Sequence, residues 1–323
     1  MKKLLLSAAI MAISASALAQ TTIKYSHVVA NDTPKGQSAL KFKELLEERS
    51  NGEFLVEVFP NSQLYNDDKV LEALLLGDVQ IAAPSVSKLN RLTKKLQLFD
   101  LPFLFKDMDA VTCFQESDAG QELLHSIDGK GLMGLGYIHN GLKQFSASVP
   151  VRVPADVDGK KFRIMSSDVL AAQYQAVNAI PVKKPFSEVF TLLQTKAIDG
   201  QESPWSNTFS QKFYEVQPYI TVSNHGLLDY MVITSNEFWG SLSEEDQKMV
   251  SEAMSEAIAY GNDLAAEINE RDRKTIAESG RSEIIELTPE ERQQWVDAMR
   301  PVWAQFEEEI GAELISTAEA CNK

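Results

Sequence analysis

The chain has 323 residues, with 31 Lys and Arg against 46 Asp and Glu, a net charge of −15 and a pI near 4.8. So acidic a balance argues against nucleic acid and against an anionic lipid face as partners, because both require clustered cations. Hydrophobic residues at 44% and charged residues at 24% suit a folded globular protein, and the length exceeds what one core usually supports, so two lobes are expected.

Lys2 and Lys3 precede an apolar run from Leu4 to about Leu18 that ends in Ala17-Leu18-Ala19. A positive start, an apolar stretch too short to span a bilayer and a small-x-small site make residues 1–19 a secretory signal peptide. No Cys follows the cleavage site, which argues against a lipid anchor. Cleavage removes two lysines and no acid, so the mature chain is more acidic still, and a bacterial periplasm is its expected location. Export permits disulfides. The two cysteines, Cys113 and Cys321, read equally as a bridge tying down the C-terminus or as two buried thiols.

Residues 22–28 read as a strand. A helix over 34–50 has apolar positions at helical spacing and stops at Asn51-Gly52. A second strand covers 54–59, a helix with acids at its N-terminus covers 66–76, and a short apolar strand covers 79–83. This alternation predicts a parallel α/β lobe. Strands over 132–139 and 160–165, and helices over 168–178 and 187–195, predict a second lobe. Ser243 caps a helical stretch to Ser279, about 50 Å at 1.5 Å per residue and longer than one lobe. Thr288-Pro289-Glu290-Glu291 starts a C-terminal helix carrying Trp295, Met299, Trp303 and Phe306. No Gly/Ser linker occurs, so the lobes must be joined by short crossing strands. The expected division is 20–142 plus about 230–262 for the N-terminal lobe and 143–229 for the C-terminal lobe. A helix over 243–279 spans both, and a helical segment over 280–323 packs back on them.

Catalytic and metal motifs are scarce. GxSxG, HExxH and the Walker loop are missing. The histidines His27, His125, His139 and His225 show no metal-ligand spacing. Gly134-Leu135-Gly136 lacks the third glycine of a dinucleotide loop, and Asp156-Val157-Asp158-Gly159 lacks the later ligands of a calcium loop and reads as a turn. No catalytic residue, metal or cofactor is therefore assigned. Arg163 stands out, flanked by Phe162, Ile164 and Met165 on a strand that enters the protein. There it binds either a ligand carboxylate, with two parallel hydrogen bonds, or an internal acid. Lys35 follows Pro34 at a helix start, where an anion would meet both an ammonium and free N–H groups; on its own, though, it reads as a surface lysine.

The segment from Phe186-Ser187-Glu188-Val189-Phe190 to Leu192-Leu193-Gln194-Thr195-Lys196-Ala197-Ile198-Asp199-Gly200-Gln201-Glu202-Ser203-Pro204 resembles a hallmark of the periplasmic solute-binding proteins of tripartite ATP-independent periplasmic (TRAP) transporters. Thr33-Pro34-Lys35-Gly36, Phe99-Asp100-Leu101-Pro102-Phe103, Asn140-Gly141-Leu142-Lys143-Gln144, Gly159-Lys160-Lys161-Phe162-Arg163 and Lys212-Phe213-Tyr214-Glu215-Val216 follow in family order. The resemblance implies an α/β, two-lobed periplasmic-binding-protein-like fold with crossing hinge strands. The lobes would close over a small organic acid, and transport would be driven by an ion gradient through small and large membrane subunits. The family's carboxylate-binding arginine corresponds to Arg163, its second cationic position to Lys143, and a ring that packs on the ligand to Phe186. Ser203 stands where many members carry Asn.

Details around Ala83-Pro84-Ser85, Thr33-Pro34-Lys35-Gly36 and Ser203-Pro204-Trp205-Ser206-Asn207 resemble the four-carbon dicarboxylate branch, DctP. A dicarboxylate needs a cation at each end, and Arg163 and Lys35 come from different lobes. Ser85, Asn140, Ser166, Trp205 and Asn207 are the candidate polar or stacking contacts. The rival ligands are a sugar acid or a 2-oxo or 2-hydroxy monocarboxylate. The rivals in role are a periplasmic enzyme acting on an organic acid and a binding protein that feeds a sensor kinase. The family resemblance implies a monomer.

Overall fold

The computed structural model describes residues 20–323, and the expected signal peptide, residues 1–19, lies outside them. In chain order the first part forms β1 (Thr21–Ser26), α1 (Pro34–Arg49), β2 (Phe54–Phe59), α2 (Val70–Leu75), β3 (Ile81–Ala82), α3 (Met108–Glu116), α4 (Asp118–Leu124) and β4 (Leu132–Leu142). The chain then crosses into β5 (Gln144–Ala147), β6 (Lys161–Ile164), α5 (Asp168–Gln175), β7 (Ile180–Lys183), α6 (Val189–Gln194), β8 (Gly200–Ser203), α7 (Trp205–Ser210) and β9 (Tyr219–Val222). It returns through β10 (Leu227–Ser235) and α8 (Asn236–Ser241) to α9 (Glu244–Ser279). β11 (Glu283–Glu286), α10 (Pro289–Met299), α11 (Glu307–Ile310) and α12 (Ala312–Ala320) complete it.

Two sheets result, ordered β2-β1-β3-β10-β4 and β11-β9-β5-β8-β6-β7. This is the expected two-lobed α/β fold with crossing strands. β1 pairs in parallel with β2 and β3, as the strand–helix alternation predicts. The first sheet is nevertheless mixed: β10 inserts between β3 and β4, antiparallel to both. Residues 227–235 are all buried and lack a period-two pattern, so the sequence carried no strand signal there. A second correction concerns 66–68. Asn66 Oδ1 accepts from the backbone of Asp68 and Lys69, folding a turn, and the helix begins only at Val70. Asp67 and Asp68 therefore stand ahead of the helix, beside the gap between the sheets.

The crossing segments lie side by side. Lys143 N donates to Gly226 O at 2.8 Å, and Gln144 Nε2 to Asn224 Oδ1 at 2.6 Å. The long helix runs where expected. Ser243 Oγ accepts from Asp246 N at 3.1 Å, three acids occupy the first turn, and Gly280 ends it in the left-handed region at φ 64°. α9 packs on α1 and β4 in the first lobe and on α7 in the second. Within α10, Trp295 is buried beside Phe145 at 4.8 Å between centroids, and beyond α10 the tail returns to the first lobe. There Trp303 Nε1 donates to Pro102 O, and Cys321 is bonded to Cys113 across 208 residues. Of the two readings of the cysteines, the structure takes the bridge.

Candidate functional site

A narrow cleft lies between the sheets, with about 20 Å³ of water-accessible space in this closed arrangement. The lobes already touch across it. Ser85 Oγ donates to Met165 Sδ at 3.0 Å, and Asn90 Nδ2 to Ser166 O at 2.9 Å. Of the candidate residues, Arg163, Lys143, Ser85, Phe186, Ser203 and Asn207 line the cleft, while Lys35, Asn140, Ser166 and Trp205 stand outside its lining.

Arg163 sits on β6 between β7 and β8, in register with Val182 and Gln201. Alternation sends Phe162 and Ile164 into the core and Arg163 to the cleft face. β8 can lie this close because Gly200 has no side chain: a Cβ there would meet Phe162 at 2.5 Å and Ser146 O at 2.6 Å. Arg163 is 3% exposed. Its Nε donates to Lys184 O at 2.9 Å, and its guanidinium carbon lies 5.7 Å from the Phe186 ring centroid. Among the described residues no carboxylate lies within ion-pair distance of it. Burial lowers its pKa to about 10, opposed by the fields of Glu202, Asp67 and Asp68, so it is charged at neutral pH. A buried cation without a partner costs several kcal/mol until an anion arrives.

Lys143 comes from the crossing between β4 and β5, and its ammonium is 2.7 Å from Glu202 Oε1, with both side chains almost fully buried. Glu202 Oε2 accepts from His225 Nε2 at 2.8 Å and from the Tyr174 hydroxyl at 3.0 Å. Burial alone would raise the Glu202 pKa, but Lys143 and His225 hold it far below the usual carboxylate range. Burial lowers the His225 pKa despite Glu202. We therefore take His225 as neutral, donating one hydrogen bond while Lys143 supplies the counter-charge. The Glu202, His225 and Tyr174 partners were missed in the sequence, because each lies dozens of residues from Lys143.

The Thr33-Pro34-Lys35-Gly36 motif builds the start of α1. Thr33 Oγ1 accepts from Gly36 N at 3.2 Å, and Pro34 opens the helix. A Cβ on Gly36 would meet Ala30 O at 2.3 Å, so only Gly fits. This tight entry turns Lys35 inward. Its ammonium donates to Ala83 O at 2.9 Å and lies 3.4 Å from the Tyr230 ring centroid. Lys35 is fully buried, and burial lowers its pKa to about 8 while Asp67 opposes the shift. It supports Tyr230, which does line the cleft.

Asn140 is the extra residue of a β-bulge: Gly141 pairs with Leu228 and His139 with Asp229, leaving Asn140 out of the ladder. Its N–H goes to Asp229 Oδ1, and its carbonyl accepts from Asn269 Nδ2 on α9. Its Nδ2 donates to Asn207 Oδ1 at 2.9 Å and to the Tyr230 hydroxyl at 3.1 Å, while Ser206 Oγ donates to its Oδ1. Asn140 therefore fixes Asn207 and Tyr230 from behind. Ser166 joins Asp68 and Lys88 across the lobes. Trp205 packs with Ile220 and Ile276, below the Arg273 guanidinium at 5.5 Å. Ser203 spends its hydroxyl proton on Gln201 Oε1 at 2.6 Å, so it offers only lone pairs to the cleft. Sequence reasoning missed Tyr230, Asp67, Asp68 and Lys88. Lys88 lay four residues after the quoted Pro84, and nothing in its local pattern separated it from a surface lysine.

A family model described as bacterial extracellular solute-binding protein, family 7, matches residues 25–309. The chain belongs to this family. Among family 7 relatives, the C4-dicarboxylate-binding periplasmic protein DctP of Shewanella loihica is 66% identical over 305 residues, 94% of this chain and 91% of that protein. A TRAP periplasmic solute-binding protein of Shewanella oneidensis, solved with bound succinate, matches at TM-score 0.93 and 62% identity, covering 94% of this chain and all of that one. One from Pseudomonas aeruginosa, solved with bound L-malate, matches at TM-score 0.86 and 42% identity over 88% of this chain and 99% of that one. The family agrees with the resemblance read from the motifs. Its proteins bind solutes outside the cytoplasm, and among the described residues no helix is long and apolar enough to cross a membrane.

Proposed function

We propose that this family 7 protein is the periplasmic solute-binding subunit of a TRAP transporter, and that it captures a four-carbon dicarboxylate such as succinate, fumarate or malate. It then delivers the anion to the small and large membrane subunits, acting as a monomer and without chemical change to the ligand. The observation that carries the reading is Arg163: a buried, charged guanidinium with its Nε anchored, facing a closed cleft, with no carboxylate within ion-pair distance among the described residues. A ligand carboxylate is the partner that fits, accepting two parallel hydrogen bonds. Phe186 would pack on the ligand's carbon chain. Asn207 and Ser85 would donate to its oxygens, the latter by releasing the weak acceptor Met165 Sδ. Lys143 stays paired with Glu202 at the cleft wall, and Lys35 and Asn140 act through Tyr230 and Asn207. Closure follows because the anion contacts both lobes and so binds the closed form better than the open one.

The test is thermal unfolding of the mature, ligand-stripped protein with succinate, fumarate, malate, galacturonate, glucuronate, lactate and pyruvate. A ligand at 100 times its Kd adds about 2.7 kcal/mol, an easily read shift. Shifts confined to four-carbon diacids support the proposal; shifts with sugar acids or monocarboxylates alone overturn the ligand class. Recovery of chemically altered acid after long incubation overturns the non-enzymatic role.

A further inference from the structure

Counting N–H groups around the cleft singles out a lysine absent from the motifs. Lys88 follows β3 in the first lobe, lines the cleft, and has a side chain only 4% exposed. An ammonium has three N–H donors. One meets Asp68 Oδ1 at 2.7 Å and one meets Ser166 Oγ, from the second lobe, at 3.1 Å. The third has no protein acceptor among the described residues.

The other lysines near the cleft are committed elsewhere. Lys35 lies outside the lining, on Ala83 O and the Tyr230 ring. Lys143 is held by Glu202, itself fixed by His225 and Tyr174 in a fully buried set. Asp68 differs from Glu202. Burial alone would raise its pKa, but Lys88 and Ser166 keep it below its ordinary value, and with 34% of its side chain exposed it can be solvated by water when Lys88 shares its charge. Lys88 is therefore the lysine whose charge can be lent to a ligand without stranding a buried carboxylate.

We propose that Lys88 is the cation for the second carboxylate of the ligand, so that a dianion spans Arg163 on one lobe and Lys88 on the other. This rests on the dicarboxylate reading and replaces Lys35 as the direct partner. Because Lys88 also touches Ser166, the group that senses the second carboxylate helps hold the lobes together.

The experiment is a two-by-two titration calorimetry series: wild type and Lys88→Gln, each with succinate and with succinamate, its half-amide. The charge-assisted contact predicts that wild type binds succinate about 10- to 100-fold more tightly than succinamate. In Lys88→Gln that ratio should fall to about threefold or less. A ratio unchanged in the variant overturns the proposal, including when both ligands weaken together, as a purely lobe-bridging lysine would cause. Should the variant not fold, the crystal structure of the wild-type complex with succinate decides. Lys88 Nζ within about 3.2 Å of a ligand carboxylate supports the assignment, and a longer separation refutes it. Failure of the wild type to bind any four-carbon diacid would sink the dicarboxylate reading and Lys88 with it. Diacid binding with an unchanged ratio would sink Lys88 alone.

Discussion

Tyr230→Phe removes a single oxygen whose hydrogen bonds are fully countable. The hydroxyl has one proton and two lone pairs. Both lone pairs are used, by Asn140 Nδ2 at 3.1 Å and Asn207 Nδ2 at 3.2 Å. Amide nitrogens cannot accept, so the proton must go elsewhere, and the residue lines the cleft. Burial raises the phenol pKa, so the proton stays in place at neutral pH. Lys35 over the ring makes the hydroxyl a stronger donor. A bound carboxylate would accept that proton in a charge-assisted bond of about 1.5–3 kcal/mol, so the variant should bind succinate about 10- to 100-fold more weakly. A separate cost falls on the ligand-free protein. Asn140 Nδ2 keeps Asn207 Oδ1, but Asn207 Nδ2 loses its acceptor, at about 1–3 kcal/mol and a Tm lower by several degrees. Titration calorimetry reads the first effect and thermal unfolding without ligand reads the second. A folded variant that binds succinate within twofold of wild type would refute the claim that the hydroxyl proton serves the ligand.

Arg163→Gln should weaken succinate at least 100-fold while raising the ligand-free Tm, because it removes an unpaired buried charge; a lower ligand-free Tm would point to an internal acid as its partner. Opening the Cys113–Cys321 bridge with Ser at both positions should cost about 2–5 kcal/mol in denaturant unfolding, since it closes a loop of 208 residues, with little change in Kd because the bridge lies away from the cleft. Asp229, with Gln115 and Asn140 as hydrogen-bond partners and His139 as the nearby charge, has its pKa raised to about 6, chiefly by burial. The folded state therefore binds its proton more tightly than the unfolded state, and that contribution is lost as pH rises from about 4 to 6. Asp229→Asn should gain on wild type across that window, by up to about 3 kcal/mol, and run parallel above it. Chemical unfolding at several pH values checks this, and a gap that does not widen would refute it.

The parts of the fold carried by local pattern were legible. The helix from Pro34, the helix from Ser243 to Ser279 and the opening parallel strands each rest on residues within one or two turns of each other. β10 was not legible, because a strand buried on both faces lacks alternation. Neither was the start of α2, where Asn66 diverts two acids from the helix into a turn. At the site, Arg163 could be singled out because a cation among apolar strand residues is anomalous on sequence alone. The direction of Lys35 depended on the Gly36–Ala30 contact, and the bulge at Asn140 on register with a strand nearly 90 residues later. One signal was available and unused: Asn262 and Asn269 interrupt the face of α9 two turns apart. They bond to His139 N and to Asn140 O, anchoring the crossing strand to the long helix.

A chain with a net charge of −15 can hold an anion because its cleft is arranged as separate local balances. Lys143 is matched by Glu202 and Lys88 by Asp68, at 2.7 Å each, and at such distances each pair largely cancels its own field. The many surface acids lie in water, where charges more than about 8–10 Å away are screened. Asp67 also lines the cleft and its field reaches Arg163, but among the described residues no carboxylate lies within ion-pair distance of the guanidinium, so the empty closed form leaves it without a direct partner. That form is disfavoured until a carboxylate enters, since closing on nothing buries the guanidinium further without a partner. On the proposed reading, the same residue would supply affinity for an anion and a reason for the empty protein to open. Lys88 can contribute a second interaction only once the lobes meet, because its Ser166 contact exists only across them. An anion with one carboxylate would engage the first device alone; one with two would engage both, which is how two cations of unequal setting can select for a diacid.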